Sequence, residues 1–184
     1  MDTLRRSLEG VPIVDFGEYQ YFVHPITDGI PYIHPELLRD VSNEIIRMVD
    51  FDDVDRILAP EAMGIHIGTA LSLQVDVPLA IARKRSYGLD GEVSVSQVTG
   101  YDENELYLNG ITEDHTVLAV DDVVSTGGTR DAIVTALETI GADLRGFITV
   151  FDKRDAVEDY VSKDSENALL TVTIEDDSVT ILDE

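Results

Sequence analysis

The chain of 184 residues contains no cysteine. Without it there can be no disulfide framework and no thiolate metal site, which excludes a small secreted scaffold. No apolar run approaches the roughly 20 residues that cross a bilayer, so no transmembrane helix is expected. Met1-Asp2-Thr3-Leu4-Arg5-Arg6 leads into no apolar signal core, and a cytoplasmic, soluble protein is the expectation. Positive charge is scarce: 13 Lys+Arg stand against 37 Asp+Glu, a net charge of −24. Such a chain repels phosphate backbones, so nucleic acid is not an expected partner, and neither is a membrane. Repeats, low-complexity tracts and linkers are also missing. An apolar content of 43% suits a single domain over 1–184.

The carboxylates are spread along the chain, and only three cations are lysines, Lys84, Lys153 and Lys163. Diffuse acidity with few lysines resembles the proteins of halophilic archaea, where salt screens the self-repulsion. Arg83-Lys84-Arg85 and Lys153-Arg154 gather five of the 13 cations. A basic island in an acidic chain is either an anion site or a balance for neighbouring carboxylates.

The patterning alternates strand and helix. Val11 to Val23 reads as irregular or extended, broken by Gly17, and Thr27 to Pro31 as turn chemistry. Pro35 opens a helix with the stripe Leu37, Val41, Ile45, Met48. Strands are expected at Val54–Ala59, Leu79–Ala82, Val117–Val120 and Phe147–Phe151, with helices at Gly64–Leu73 and Arg130–Ile140. Val117–Val120 is nearly all apolar, as a strand covered on both faces should be, and the fourth strand follows about thirty residues beyond it. The alternation implies an α/β fold, a central parallel sheet flanked by helices on both faces. Ser86 to Gly110 is polar and punctuated by glycine, and its pieces Val93–Ser96 and Leu106–Leu108 suggest a long hairpin of the kind that forms lids. Leu169–Ile174 and Val179–Leu182 suggest a C-terminal hairpin.

The run Val117 to Thr129, VLAVDDVVSTGGT, carries the chemistry. A buried strand ends in Asp121 and Asp122, and a loop of hydroxyls and glycines then opens a helix. Gly127 and Gly128 let backbone amides converge, Ser125, Thr126 and Thr129 add hydroxyls, and the helix dipole favours an anion. The loop suits a phosphate monoester and lacks the lysine of a nucleoside-triphosphate loop. The adjacent aspartates are within reach of sugar hydroxyls or magnesium, and their mutual repulsion is enough to raise one pKa.

This run resembles the signature of the type I phosphoribosyltransferases, which bind phosphoribosyl pyrophosphate (PRPP). The resemblance implies that Ser125 to Thr129 hold the 5′-phosphate and that Asp121 and Asp122 are catalytic. The pair would hold the ribose hydroxyls and meet Mg2+ indirectly, through ribose or water. Glu61-Ala62-Met63-Gly64 is similar to the pyrophosphate loop of the adenine-type members, and Arg83-Lys84 to the basic pair that reaches the pyrophosphate. Ser86 to Gly110 corresponds to the family's flexible catalytic loop, and the chain ends to its small hood. Tyr19 to Pro31 and Tyr107 to Gly110 look like the archaeal hypoxanthine/guanine branch. Purine salvage, a purine base and PRPP as partners, and a homodimer are then implied.

The match departs from the family in two places. Ser125 stands where hypoxanthine-guanine enzymes carry an aspartate base, and Thr99-Gly100-Tyr101, with Glu103 and Glu105 out of register, replaces the glutamate motif of adenine enzymes. The general base stays unassigned. Lys153, at the end of the fourth strand, is a candidate donor to a 6-oxo group, and Phe151 a candidate stacking partner. Each has an ordinary alternative as a paired surface lysine or a core residue. His24, His34, His66 and His115 lack metal-ligand spacing. Adenine or xanthine as acceptor, or a non-catalytic PRPP-binding regulator, are the alternatives.

Overall fold

The computed structural model describes residues 1–17, 19–98, 103–153 and 168–182. In chain order the elements are α1 (Asp2–Ser7), β1 (Ile13–Phe16), β2 (Tyr19–Phe22), α2 (Pro25–Asp28), α3 (Pro35–Met48), β3 (Arg56–Pro60), α4 (Gly64–Val75), β4 (Leu79–Ala82), β5 (Val93–Val98), β6 (Glu103–Leu108), β7 (Thr116–Val124), α5 (Gly128–Ile140), β8 (Asp143–Lys153), β9 (Ala168–Glu175) and β10 (Ser178–Leu182).

Six strands form one sheet in the order β10-β9-β8-β7-β3-β4. The pairs β3–β4, β3–β7, β7–β8 and β8–β9 are parallel, and only β10 runs antiparallel, on β9. The expected α/β sheet is therefore present, closed at one edge by the C-terminal hairpin. Both faces are covered because the strands are apolar on both sides. Leu37, Val41 and Ile45 of α3 and Ile67 and Leu71 of α4 pack with Ile57, Leu118 and Val120 on one face. Ala132, Ile133, Ala136 and Leu137 of α5 pack with Leu58, Val117 and Ala119 on the other. α4 and α5 thus leave neighbouring strands, β3 and β7, toward opposite faces. The chain order reverses between those strands, and a crevice opens at their carboxyl ends, where open parallel sheets bind ligands.

Several expectations need correction. β7 does not stop before the aspartates; it runs through Asp121 and Asp122 to Val124, because pairing with β8 continues to Val124↔Asp152. The first six-residue stretch after Met1 is a helix, α1, anchored when the Met1 ammonium meets Asp40 at 2.7 Å and the amide of Leu4 donates to the same carboxylate at 3.1 Å. Val11 to Val23 is a hairpin turning at Gly17, whose φ of +70° suits glycine. The expected turn after His24 begins as a helical turn, α2, with His24 as its cap.

The hairpin β5–β6 is rooted on the α5 face. Leu106 and Leu108 are buried there, with Val93 and Val95 partly so. Arg83 and Tyr107 exchange backbone hydrogen bonds of 2.9 and 2.7 Å, which ties β6 to the residue following β4.

Candidate active site

The carboxyl end of β7 places two acids where the sheet is driest. Asp121 is 6% exposed and Asp122 9%, and the Asp122 amide donates to Asp121 Oδ1 at 2.9 Å. Burial pushes the Asp121 carboxyl up to about 6, opposed by the Asp122 amide and the positive charge of Lys84. Asp122 is raised further, by burial and then by the charge of Asp121 beside it. A pair so starved of water and positive charge is suited to meet a ligand that supplies hydroxyls or cations.

After β7, Ser125 to Thr129 wrap into the head of α5. Gly127 caps the helix at φ +79°, a left-handed backbone that favours glycine, and Asp131 N donates back to its carbonyl at 2.9 Å. The amides of the first turn point out of the helix without intrahelical acceptors, which makes this end attractive to an anion. The loop forms one side of a cavity of about 660 Å3. Asp121, Tyr19, Tyr21 and Asp28 line the same cavity.

Across β3, the loop Glu61 to Gly64 opens α4 and leans on the same acids. A Cβ on Gly64 would stand 2.8 Å from Pro60 Cδ, 3.0 Å from the Val120 carbonyl and 3.2 Å from Asp121 Oδ1. Only glycine brings α4 that close to β7. The Glu61–Ala62 peptide is cis. Glu61 itself faces the basic pair: its carboxylate lies 2.9 Å from Arg83 Nε and accepts from the Lys84 amide at 2.5 Å. Glu61 is therefore a clamp on Arg83 and Lys84, and its negative side chain is not an anion contact. Ala62, Met63 and Gly64 bring backbone, and Lys84 is near enough to act on Asp121.

The two candidate base contacts are not at the cavity. Phe151 is wholly buried, edge-on to Phe22 at 5.5 Å and His24 at 5.1 Å, so its ring belongs to the core. Lys153 is 1% exposed and its Nζ sits 3.7 Å from the centre of the Tyr19 ring. Tyr19 covers it from the cavity side, and its hydroxyl lies 3.3 Å from Ser125 Oγ. Sequence reading missed the wall made by Tyr21, Asp28 and Arg130. The alternation of Tyr19 and Tyr21 along β2 was the one signal that could have exposed it. Of the histidines, His24 accepts from the Ile26 amide at 3.1 Å, capping α2, and His115 accepts from that of Thr112 at 3.0 Å.

Among the described residues no three His, Asp or Glu side chains are grouped to hold a metal ion. Two adjacent carboxylates beside the loops that open α4 and α5 do fit Mg2+, which keeps several waters and binds through few carboxylates plus substrate phosphates.

An open parallel sheet with two anion-ready loops and an acid pair at its switch point defines a class of proteins that handle phosphorylated small molecules. The chain belongs to the phosphoribosyltransferase family: residues 33–177 match the phosphoribosyl transferase domain. HGPRTase-like protein 2 of Haloarcula marismortui is 52% identical over 186 residues, covering 100% of this chain and 98% of the relative. HGPRTase-like protein 1 of Haloferax volcanii is 49% identical over 184 residues, with the coverage again 100% and 98%. Among solved structures, adenine phosphoribosyltransferase from Thermoanaerobacter pseudethanolicus shares the fold with a TM-score of 0.69 at 21% identity, covering 82% of this chain and 88% of that one. The Saccharomyces cerevisiae adenine enzyme, complexed with an imino-altritol bisphosphate and adenine, gives 0.66 at 21% identity, covering 82% and 87%.

Proposed function

We propose that the protein transfers the phosphoribosyl group of PRPP to a purine, hypoxanthine or guanine, releasing a nucleoside monophosphate and pyrophosphate. The observation that carries this reading is that the Ser125–Thr129 loop and Asp121 line one cavity while Gly64, at the end of the Glu61–Gly64 loop, packs against the same Asp121. The choice of a 6-oxopurine is supported by full-length relatives at about half identity named HGPRTase-like. The adenine enzymes among the solved structures share only a fifth of the residues and bear on the fold.

Ser125, Thr126, Gly127, Gly128 and Thr129 hold the 5′-phosphate against the first turn of α5. Asp121 and Asp122 accept from the ribose hydroxyls and lie beneath the positive charge that grows on the sugar as the bond to pyrophosphate lengthens. The backbone of Ala62 to Gly64, with Arg83 and Lys84 held by Glu61, receives the departing pyrophosphate. Asp121 and Asp122 would hold magnesium indirectly, through ribose hydroxyls or water, and the ion would supply charge neutralisation on the leaving group. Closure of the β5–β6 hairpin over the crevice keeps water from the activated ribose. A homodimer in the cytoplasm completes the reading.

The test is turnover of purified protein in molar KCl with magnesium and PRPP, each base offered separately and pyrophosphate release followed. Release with hypoxanthine or guanine is expected. Release with adenine alone overturns the acceptor, and saturable PRPP binding without turnover on any base points to a regulator.

A further inference from the structure

The transfer reaction needs a group to take the imidazole proton of the purine, and Ser125 is a weak base already in contact with Tyr19. Asp121 belongs to the sugar side of the cavity, buried next to Asp122. Among the described residues one other carboxylate lines the cavity, that of Asp28 at the end of α2. We propose that Asp28 is the catalytic base, an inference that rests on the purine-transfer reading above.

Its carboxylate is fixed from three sides. Oδ1 accepts from the Tyr21 hydroxyl at 3.2 Å, while Oδ2 accepts from the His24 amide at 2.9 Å and the Thr27 hydroxyl at 2.6 Å. A carboxylate offers about four acceptor positions, so Oδ1 keeps one for a substrate N–H. The donors hold the group rotationally fixed, as a base must be before the substrate arrives. Asp28 is half-buried, with one side toward the cavity. In the transfer, the purine nitrogen bonds to C1′ of the ribose and the C1′–oxygen bond breaks with its electron pair going to pyrophosphate. The imidazole proton passes to Asp28 Oδ1 and from there to solvent.

The titratable and charged groups around Asp28 are Tyr19 and Tyr21 on β2, His24 at the head of α2, Asp121 and Asp122 on β7, and Arg130 on α5. Asp28→Asn keeps the shape and an acceptor for the His24 amide. It should lower kcat by about 10^2-fold to 10^4-fold, the range for losing a general base, with PRPP binding measured by calorimetry unchanged. Tyr21→Phe leaves the carboxylate but removes the donor that orients Oδ1, and should lower kcat by about 10-fold or more with PRPP binding unchanged. A wild-type kcat in Asp28→Asn or in Tyr21→Phe overturns the assignment while leaving the purine-transfer reading intact. Should Asp28→Asn fail to fold, the Tyr21→Phe kinetics decide alone. Wild-type protein that turns over no base overturns both.

Discussion

At the residue scale, the buried acids and the buried histidines pull stability in opposite directions with pH. Burial raises Asp121 to about 6 and Asp122 well above the ordinary carboxylate range, so above that range the folded chain binds protons that the unfolded chain does not. Their contribution to stability therefore falls as pH rises above it. Asp122→Asn removes the repulsion, and should raise the melting temperature of the ligand-free protein at pH 8 by a few degrees. The same change should weaken ribose 5-phosphate binding by about 100-fold, equivalent to roughly 3 kcal/mol of charged hydrogen bonds. A simultaneous thermal scan and titration checks both. His24 behaves oppositely: burial lowers it to about 4 from 6.5, so the unfolded chain takes the proton first and stability is lost as pH falls through that interval. Full protonation costs on the order of 3 kcal/mol, and His66, lowered in the same way, adds to the loss. His24→Asn keeps a capping side chain, and its acid-unfolding curve should be visibly shallower than that of the wild type.

At the scale of elements, the site depends on how closely α4 and α5 approach β7. Gly64→Ala puts a methyl within 3.0 Å of the Val120 carbonyl, a backbone atom that cannot move aside cheaply. The overpacking should cost about 1–3 kcal/mol and, by lifting the loop off Asp121, lower kcat/KM for PRPP far more than a methyl elsewhere on α4 would. Pyrophosphate-release kinetics at a temperature where both proteins are folded separate the two effects. The hairpin makes a second case. Its strands were legible from the alternation of Val93 and Val95 and of Leu106 and Leu108. That Leu106 is fully buried in the core formed with α5 was not, because alternation shows a face is apolar without showing what covers it. Leu106→Ala should destabilise the chain by about 2–5 kcal/mol in denaturant titration. A loss below about 0.5 kcal/mol would mean the hairpin is not seated on α5.

At the scale of the whole molecule, a net charge of −24 on 184 residues acts against compaction everywhere. The Debye length shrinks from about 10 Å at 0.1 M to about 3 Å at 1 M salt, so neighbouring surface carboxylates are shielded only in concentrated salt. The melting temperature should climb steadily from dilute buffer to molar KCl. A flat response would show that the acidity is balanced locally and would remove the halophilic reading, which otherwise agrees with the relatives from Haloarcula and Haloferax. The basic pair Arg83 and Lys84 is then an exception with a reason: Glu61 holds it, and the charge of Lys84 is felt by Asp121.

The sequence by itself determined the alternation of apolar strands and amphipathic helices, and so the parallel sheet, because burial on both faces writes itself into composition. It also determined the loop that opens α5, since the glycine and hydroxyl residues at the head of a helix act locally, whatever surrounds them. The tertiary structure alone decided which side chains face the cavity. Phe151 and Lys153 stood at the right end of the right strand, yet the hairpin of β1 and β2 folds over that end, sealing Phe151 behind Phe22 and Lys153 behind Tyr19. The residues that face inward instead, Tyr19, Tyr21 and Asp28, lie about a hundred positions from the loop they oppose. Such a meeting is set by packing between distant segments, and no local pattern encodes it.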